Sequence, residues 1–270
     1  MTNYPRTLFY LIDVLCNEKC SKCGHWKYKS HKTIEGCQHI VSFIKAIPHL
    51  NELVFVGGEP LIYKSTILEI ISNISPAIKS TIITNGVLAD SKFIDSLKGT
   101  NTHIVFSIDT MDKDFWKFVR GKDTYDQVFG NLKYALKALN QTQVSVQSVL
   151  AKETKEHVNE VGRWLSELGI YHSVQDYVSD GFGGIWTELS TKRVSSESIC
   201  LAYKYNMSIM PNGDIFTCFQ QPLINGCDKP IGNVVTDTFS DVVSSVYFND
   251  VIHKMKTCNL TCKVLKCNIE

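Results

Sequence analysis

Hydrophobic and polar positions follow two different periods along the first two-thirds of the chain. Short apolar runs, rich in β-branched and aromatic residues, occupy 8–15, 52–56, 79–84, 103–108, 144–150 and 170–178. Between them, apolar residues recur at helical spacing in 36–47, 65–72, 91–97, 125–139 and 155–168. This alternation predicts parallel strands joined by right-handed helical crossovers. We therefore expect an α/β fold, a partial (β/α)6 barrel that is left open on one side.

The alternation stops near residue 178. Residues 179–198 are glycine-rich and have no clear period, which predicts a linker or an active-site loop. Asn212-Gly213 lies between two short apolar runs within 206–219 and predicts a β-hairpin, and 249–256 predicts a helix. We divide the chain into a barrel (1–180), a linker or active-site loop (181–199) and a small cysteine-rich C-terminal domain of hairpin plus helix (200–270).

Charge and hydropathy exclude some partners. Lys and Arg number 28 against 27 Asp and Glu, so the net charge of +1 predicts no nucleic-acid partner. No apolar run approaches the ~20 residues that cross a bilayer, so we expect no membrane partner either. The first apolar run is short, contains Asp13 and precedes no small-residue cleavage site, which predicts a cytoplasmic protein without a signal peptide.

The cysteines are concentrated near the two ends of the chain. Cys16, Cys20 and Cys23 follow the first predicted strand with C-x3-C-x2-C spacing. Three thiolates on one loop can bind three irons of a [4Fe–4S] cluster, which leaves the fourth iron open to a small molecule. A disulfide framework fits poorly because the chain has no export signal.

A second group of cysteines lies in the C-terminal region: Cys200, Cys218, Cys258, Cys262 and Cys267. Four thiolates complete the coordination of a second [4Fe–4S] cluster, and we favour the first four, with Cys267 as an alternate ligand. A structural zinc ion is the main alternative, because four thiolates also suit tetrahedral zinc. Cys37 lies in a helical pattern and is expected to be a buried thiol.

Polar and glycine-containing motifs follow three of the other predicted strands: GGEP at 57–60, TNG at 84–86 and SID at 107–109. The C-terminal ends of parallel strands meet at one edge of a barrel, where the sites of such folds lie. We therefore expect these motifs to lie near Cys16.

The motif CNEKCSKCGHW, together with GGEP, resembles the radical S-adenosylmethionine (SAM) superfamily. TNG, SID, RG at 120–121 and the C-x(9–15)-G-x4-C pattern of Cys200, Gly213 and Cys218 resemble its SPASM/Twitch branch. Six cysteines after residue 199 are fewer than the two auxiliary clusters of a full SPASM domain need, which favours a Twitch-type domain with one. Lys22 departs from the family, which usually has an aromatic residue there.

The resemblance implies that SAM chelates the open iron and is reductively cleaved to a 5′-deoxyadenosyl radical, which abstracts a hydrogen atom from the substrate. It also implies an electron donor such as flavodoxin or ferredoxin. Glu59 would accept a hydrogen bond from the amino group of SAM. The candidate SAM-binding residues are Gly57, Gly58, Glu59, Pro60, Asn85, Ser107, Gln147 and Arg120. For Arg120, an ordinary position on a helix surface is an equal alternative.

The sequence leaves several reactions open. We expect oxidation of a sugar-like or aminocyclitol-like small molecule, with Asp109, Asp176 or Glu188 as the base, or its epimerisation, with Cys227 returning the hydrogen atom. For Cys227, a thiol without a role is the alternative. Epimerisation or crosslinking of a ribosomally made peptide is the alternative function. A non-catalytic iron–sulfur electron carrier is the remote one, because it needs neither an open iron nor GGEP.

Overall fold

The computed structural model describes residues 5–27, 29, 33–177, 185–187, 201–219 and 221–256. The strands in this part of the chain are β1 (Thr7–Leu11), β2 (Glu52–Val56), β3 (Lys79–Thr84), β4 (Thr102–Ser107), β5 (Val144–Leu150), β6 (Tyr171–Asp176), β7 (Asn206–Ile209), β8 (Asp214–Phe216) and β9 (Gly232–Asn233). The α-helices are α1 (Gln38–Ala46), α2 (Lys64–Asn73), α3 (Ser91–Ser96), α4 (Lys113–Arg120), α5 (Tyr125–Ala138), α6 (Lys155–Glu167), α7 (Ala202–Tyr205), α8 (Phe239–Ser244) and α9 (Val246–Lys256).

All nine described strands belong to one sheet, in the order β6-β5-β4-β3-β2-β1-β7-β8-β9. Strands β1 to β6 pair in parallel with their sequence neighbours, which confirms the predicted α/β barrel topology. Strand β7 pairs in parallel with the other side of β1, with Thr7 opposite Asn206, and β8 returns antiparallel to β7. The predicted hairpin therefore extends the barrel sheet, whereas the sequence suggested only that it belongs to a separate small domain.

The burial of apolar side chains in the core explains why the strands and helices could be predicted from the hydrophobic period of the sequence. The middle residues of β1 to β5 are buried, and α5 presents Val128, Leu132 and Ala135, spaced four and three residues apart, as one fully buried face. Each fully buried large aliphatic side chain contributes roughly 1.5–3 kcal/mol. Strand β6 has no buried residue and lies at the edge of the described sheet, which is consistent with a barrel that stays open there.

Two local differences from the sequence prediction bear on the site. Strand β1 ends at Leu11, because residues 12–15 leave β1 and hydrogen-bond to the end of β2 and to the GGEP segment after it. Helix α4 was not predicted, although it begins after Asp112, which accepts hydrogen bonds from Asp114 N and Phe115 N, and ends at Gly121 with φ 65°. None of the described helices is long and apolar enough to cross a membrane.

Candidate active site

A cavity of about 230 Å³ lies at the C-terminal ends of the central strands. Of the residues singled out from the sequence, those that line it are Cys16, Cys20, Cys23, Gly57, Gly58, Asn85, Ser107 and Arg120. Glu18, Lys22, His25 and Trp26 also line it. The topology thus brings the cysteine loop and three strand-end motifs around one space.

The glycines of GGEP let two backbone segments approach closely. Gly58 N donates to Asp13 O at 2.8 Å, and Glu59 N donates to Leu15 O at 2.7 Å. A Cβ on Gly58 would lie 2.2 Å from Leu15 O and 2.3 Å from Val14 O, too close for any other residue. The GGEP backbone therefore lies directly against the segment that leads into Cys16, and this contact positions that cysteine.

Glu59 is buried behind this loop and does not line the cavity. Its Oε1 accepts from Leu61 N at 2.9 Å and from the Thr84 hydroxyl at 2.7 Å, and its Oε2 accepts from Asn85 N at 2.8 Å. Burial raises the pKa of Glu59 to about 7, although these hydrogen bonds oppose the rise. The carboxylate thereby links the ends of β2 and β3, and its predicted contact with SAM stays a prediction.

Asn85 contacts the start of the cysteine loop. Its Nδ2 donates to Asn17 Oδ1 at 2.7 Å and lies 3.8 Å from Cys16 Sγ. Its Oδ1 accepts from Val87 N at 3.0 Å, which orients the side chain amide. Asn85 therefore faces both the cavity and the first cysteine.

Arg120 is not the helix-surface residue that the sequence allowed. It is 2% exposed, and its Nη1 lies 3.5 Å from Glu18 Oε2 and 3.8 Å from Cys20 Sγ. Its Nη2 lies 3.3 Å from Asp109 Oδ2 and also donates to Ser107 O. Its Nε is buried and has no hydrogen-bond partner among the described residues. The guanidinium is therefore held at the cavity wall with one donor unsatisfied.

Asp109 is fully buried, and both of its oxygens are occupied. Oδ2 pairs with Lys22 Nζ at 2.5 Å and with Arg120, while Oδ1 accepts from Val149 N at 2.8 Å. Burial by itself raises the pKa of Asp109, but the charges of Lys22 and Arg120 hold it below its ordinary value. A carboxylate that two cations keep ionised is a weak base, so this geometry opposes the predicted general-base role.

The end of α4 also holds the backbone of the cysteine loop. Lys19 N donates to Arg120 O and Ser21 N donates to Val119 O, each at 3.0 Å. Gly121 is required after Arg120, because a Cβ there would lie 2.4 Å from Lys19 O. An unpredicted helix therefore fixes the middle of the predicted ligand loop.

The three cysteines of this loop suit an iron–sulfur cluster. All three side chains are of intermediate exposure and line one cavity. Burial raises the pKa of Cys16 to about 11 and that of Cys20 to about 12, and a bound metal offsets this cost by stabilising the thiolate. Among the described residues, no three His, Cys, Asp or Glu side chains converge on a single metal ion. A cube that gives each thiolate its own iron fits this arrangement better than one ion does.

The remaining predicted residues lie elsewhere. Gln147 pairs with Ser107 in the sheet, and Pro60 begins a 3-10 helix, but neither lines the cavity. Cys227 is fully buried in the hydrophobic core and does not line the cavity, which opposes its predicted role as a hydrogen donor. Cys218 is buried just after β8. Outside the described residues lie Cys200, Cys258, Cys262, Cys267 and Glu188.

Sequence reasoning missed two functional candidates beside the cysteines. Glu18 is 1% exposed and accepts from the Thr124 hydroxyl at 2.7 Å in addition to its contact with Arg120. Trp186 comes from the glycine-rich segment, and its indole N–H donates to Ser21 Oγ at 2.7 Å. The available signals were a charged residue between two metal-ligand cysteines and a tryptophan within a glycine-rich stretch.

Comparison with known families agrees with this geometry. The model of the radical SAM superfamily matches residues 11–165. The chain belongs to this superfamily. The SPASM model, described as an iron–sulfur cluster-binding domain, matches residues 200–268. This radical SAM protein therefore uses SAM with a [4Fe–4S] cluster and has a SPASM-type auxiliary iron–sulfur region, whereas a single auxiliary cluster stays a prediction from the cysteine count.

Individual relatives are distant. Molybdenum cofactor biosynthesis protein 1 of Dictyostelium discoideum is 29% identical over 145 residues, which is 51% of this chain and 23% of that protein. GTP 3′,8-cyclase of Psychromonas ingrahamii is 28% identical over 159 residues, which is 56% of this chain and 47% of that enzyme. The chain thus spans less than half the length of these curated relatives. The crystal structure of Streptococcus suis SuiB with S-adenosylmethionine superposes with a TM-score of 0.78 at 18% identity, covering 96% of this chain and 73% of that one. At this identity the likeness shows the fold.

Proposed function

We propose that this radical SAM enzyme abstracts a hydrogen atom from its substrate in the cavity beside the cysteine loop. The observation that carries the proposal is that Cys16, Cys20 and Cys23 line one cavity together with the Gly57-Gly58 backbone, Asn85 and Arg120. When bound, SAM and the reduced cluster supply a 5′-deoxyadenosyl radical as the hydrogen-abstracting species. The chain's own residues bind and orient these groups.

The thiolates of Cys16, Cys20 and Cys23 bind three irons. The part of the cavity wall formed by Arg120, Asn85 and the Gly57-Gly58 backbone binds the methionine portion of SAM. Arg120 lines the cavity with its Nε unsatisfied among the described residues, and a guanidinium is the side chain best suited to bind a carboxylate. We assign it to the carboxylate of SAM. The Gly57-Gly58 backbone and Asn85 face the same space and offer hydrogen-bonding groups to the rest of the cofactor.

The C-terminal cysteines supply the auxiliary site. We propose one auxiliary [4Fe–4S] cluster on Cys218 together with Cys200, Cys258 and Cys262, with Cys267 as the alternate ligand. Electrons reach the SAM-binding cluster from a small carrier such as flavodoxin or ferredoxin. We further propose that the protein acts in the cytoplasm.

For the substrate we now favour a peptide over the small molecule expected from the sequence. The comparisons do not confirm oxidation or epimerisation of a sugar or aminocyclitol. Two of the residues predicted for that chemistry are ill placed: Asp109, one of the candidate bases for oxidation, is ion-paired, and Cys227, the hydrogen donor for epimerisation, is buried in the core. SuiB has also been solved with its precursor peptide SuiA, and that structure superposes with a TM-score of 0.77 over 96% of this chain. A small molecule is the second candidate, favoured by the similarity to GTP 3′,8-cyclase.

Anaerobic reconstitution of the full chain tests the reaction. We expect iron to bind and 5′-deoxyadenosine to form from SAM under a strong reductant, and replacement of Cys16, Cys20 and Cys23 by alanine should abolish product. Cys37→Ala is the matched control, because Cys37 is a buried thiol away from the cavity. Unchanged cleavage in the triple variant would contradict the proposal.

The same assay tests the substrate class. Deoxyadenosine formation is measured in the presence of a mixed peptide library, of GTP and of a panel of aminocyclitols. Stimulation by peptides with a change in peptide mass supports the favoured class. Stimulation by GTP or an aminocyclitol alone would replace it with the small-molecule candidate.

A further inference from the structure

The backbone and side chain of Ser21, between two of the ligand cysteines, are held by two separate parts of the chain. Ser21 N donates to Val119 O at 3.0 Å, at the end of α4. Ser21 O accepts from Ile185 N at 2.9 Å, and Ser21 Oγ accepts from the Trp186 indole N–H at 2.7 Å. The second set of contacts comes from residues 185–187, which lie more than 160 positions later in the sequence.

Lys22, the next residue of the loop, is also contacted by Trp186. Its ammonium pairs with Asp109 at 2.5 Å and lies 5.4 Å from the centroid of the Trp186 ring, within the range of a cation–π contact. The ring itself is 5% exposed and packs with Val119, Ala151 and Tyr177 in a small hydrophobic cluster. Trp186 thus touches both residues that separate Cys20 from Cys23.

Residues 185–187 are in turn attached to the turn between β5 and α6. Thr187 N donates to the Glu153 carboxylate at 2.9 and 3.0 Å, and the Thr187 hydroxyl donates to it at 2.7 Å. Lys152 N donates to Thr187 O at 3.0 Å. The segment therefore bridges the cysteine loop to the turn that connects β5 and α6 of the barrel.

We propose that Trp186 is a positioning residue that sets the spacing of Cys20 and Cys23 before the cluster assembles. The inference rests on the proposed function, since it assumes that these cysteines bind the cluster. A ligand loop that is already ordered loses less conformational entropy when it binds metal, so it holds the metal more tightly. Removal of the Trp186 contacts should leave the three cysteine ligands present. The cluster should then release iron more readily, and the altered positions of its ligands should change its electron paramagnetic resonance spectrum.

The test compares release of iron to a chelator from the anaerobically reconstituted full chain. Trp186→Ala should release iron about tenfold faster than the unaltered chain, because it loses a hydrogen bond and the cation–π contact. Trp186→Phe keeps a ring near Lys22 and should show about threefold faster release. Trp164→Ala is the control, since Trp164 is a half-buried tryptophan of α6 that packs against Phe129, away from the loop.

A double-mutant cycle keeps the inference testable if Trp186→Ala fails to fold. Ser21→Ala and Trp186→Phe each remove the same indole hydrogen bond, so the double variant should release iron no faster than the quicker single variant. Electron paramagnetic resonance of the reduced cluster gives a second readout, and both single variants should shift its g-values, whereas Trp164→Ala should not.

Additive effects in the cycle, or equal iron release and g-values in the Trp186 and Trp164 variants, would overturn the positioning role while leaving the proposed function standing. Failure of the unaltered chain to bind iron would overturn both, so the two failures are distinguishable.

Discussion

The loops that follow β2 and β4 each bury one carboxylate at the same edge of the sheet. Glu59 is 2% exposed and, within the described part of the chain, accepts hydrogen bonds from neutral donors, and burial raises its pKa to about 7. Asp109 is equally buried but pairs with Lys22 and Arg120, and its pKa is lowered. At equal burial, the charge of the hydrogen-bond donors decides whether a carboxylate in this site is ionised.

The two loops therefore do different work around the same cavity. The carboxylate of Glu59 links two strand ends through neutral hydrogen bonds. Asp109 belongs to a buried network in which two cations, Lys22 and Arg120, balance two anions, Asp109 and Glu18. This network reaches Cys20 through Arg120. We therefore expect the free energy of unfolding to fall more when one charged residue of the Asp109 network is removed than when one hydrogen bond of Glu59 is removed.

The largest expected effect is that of Arg120→Met. It removes the Arg120 partner of both Glu18 and Asp109, and of the cations in the described residues it leaves Asp109 paired with Lys22. Removal of one partner from a buried pair costs about 3–5 kcal/mol. The free energy of unfolding in urea measures this loss, and SAM cleavage should fall with it. Lys117→Met is the control on the same helix, since Lys117 pairs with Asp123 at the surface and such pairs contribute about 0–1 kcal/mol. An equal loss of unfolding free energy in Arg120→Met and Lys117→Met would show that the buried charge network contributes no more to stability than a surface ion pair.

The two carboxylates should change the free energy of unfolding in opposite directions as the pH rises. The pKa of Glu59 is raised from 4.5 to about 7, so the fold favours its protonated form; this stability is complete below 4.5 and is lost as pH rises through about 7. The loss is on the order of 3 kcal/mol. Asp109 acts oppositely: its stabilisation is present above 3.8 and is lost as pH falls through its lowered pKa.

The measurement is the free energy of unfolding of the unaltered chain and of Glu59→Gln, which cannot titrate, from pH 4.5 to 8. The difference between the two should change across this interval. Parallel curves would mean that Glu59 has an ordinary pKa despite its burial.

Glu59→Gln should itself cost about 1–3 kcal/mol at pH 5. Glutamine has one acceptor oxygen, so either Leu61 N or Asn85 N loses its acceptor, whereas the Thr84 hydroxyl can turn to accept from the new amide. Thermal and urea unfolding would measure the loss against Glu167→Gln, an exposed glutamate at the end of α6, which should stay within about 0.5 kcal/mol of the unaltered chain. No difference between these variants would show that the neutral hydrogen bonds contribute little.

Lys22→Met should have the smallest effect, roughly 1–2 kcal/mol, because Asp109 keeps both Arg120 and Val149 N as partners. The methionine can still pack against the ring of Trp186. Urea unfolding checks the value. A loss as large as that of Arg120→Met would show that Lys22 contributes as much as Arg120 to the buried charge network.

The strand-end motifs were predictable because their positions follow from strand direction alone. The ends of β2 and β3 and the cysteine loop after β1 do surround one cavity. The role of Glu59 was less predictable, since its carboxylate faces Thr84 and backbone N–H groups instead of the cavity. A sequence motif identifies a position on the edge of the sheet, but the direction of the side chain depends on the packing of neighbouring loops.

By itself, the sequence determined the parallel α/β architecture, the cysteine ligand loop and the family, because hydrophobic period and ligand spacing are local properties of the chain. Only the tertiary structure decided that Arg120 is buried, that Lys22 and Arg120 both pair with Asp109 and that Trp186 contacts the cysteine loop. Lys22 and Asp109 lie 87 positions apart, and Arg120 and Glu18 lie 102 apart. No local pattern records such pairs, since they form only when packing of the helices and strands excludes water and brings the oppositely charged side chains together.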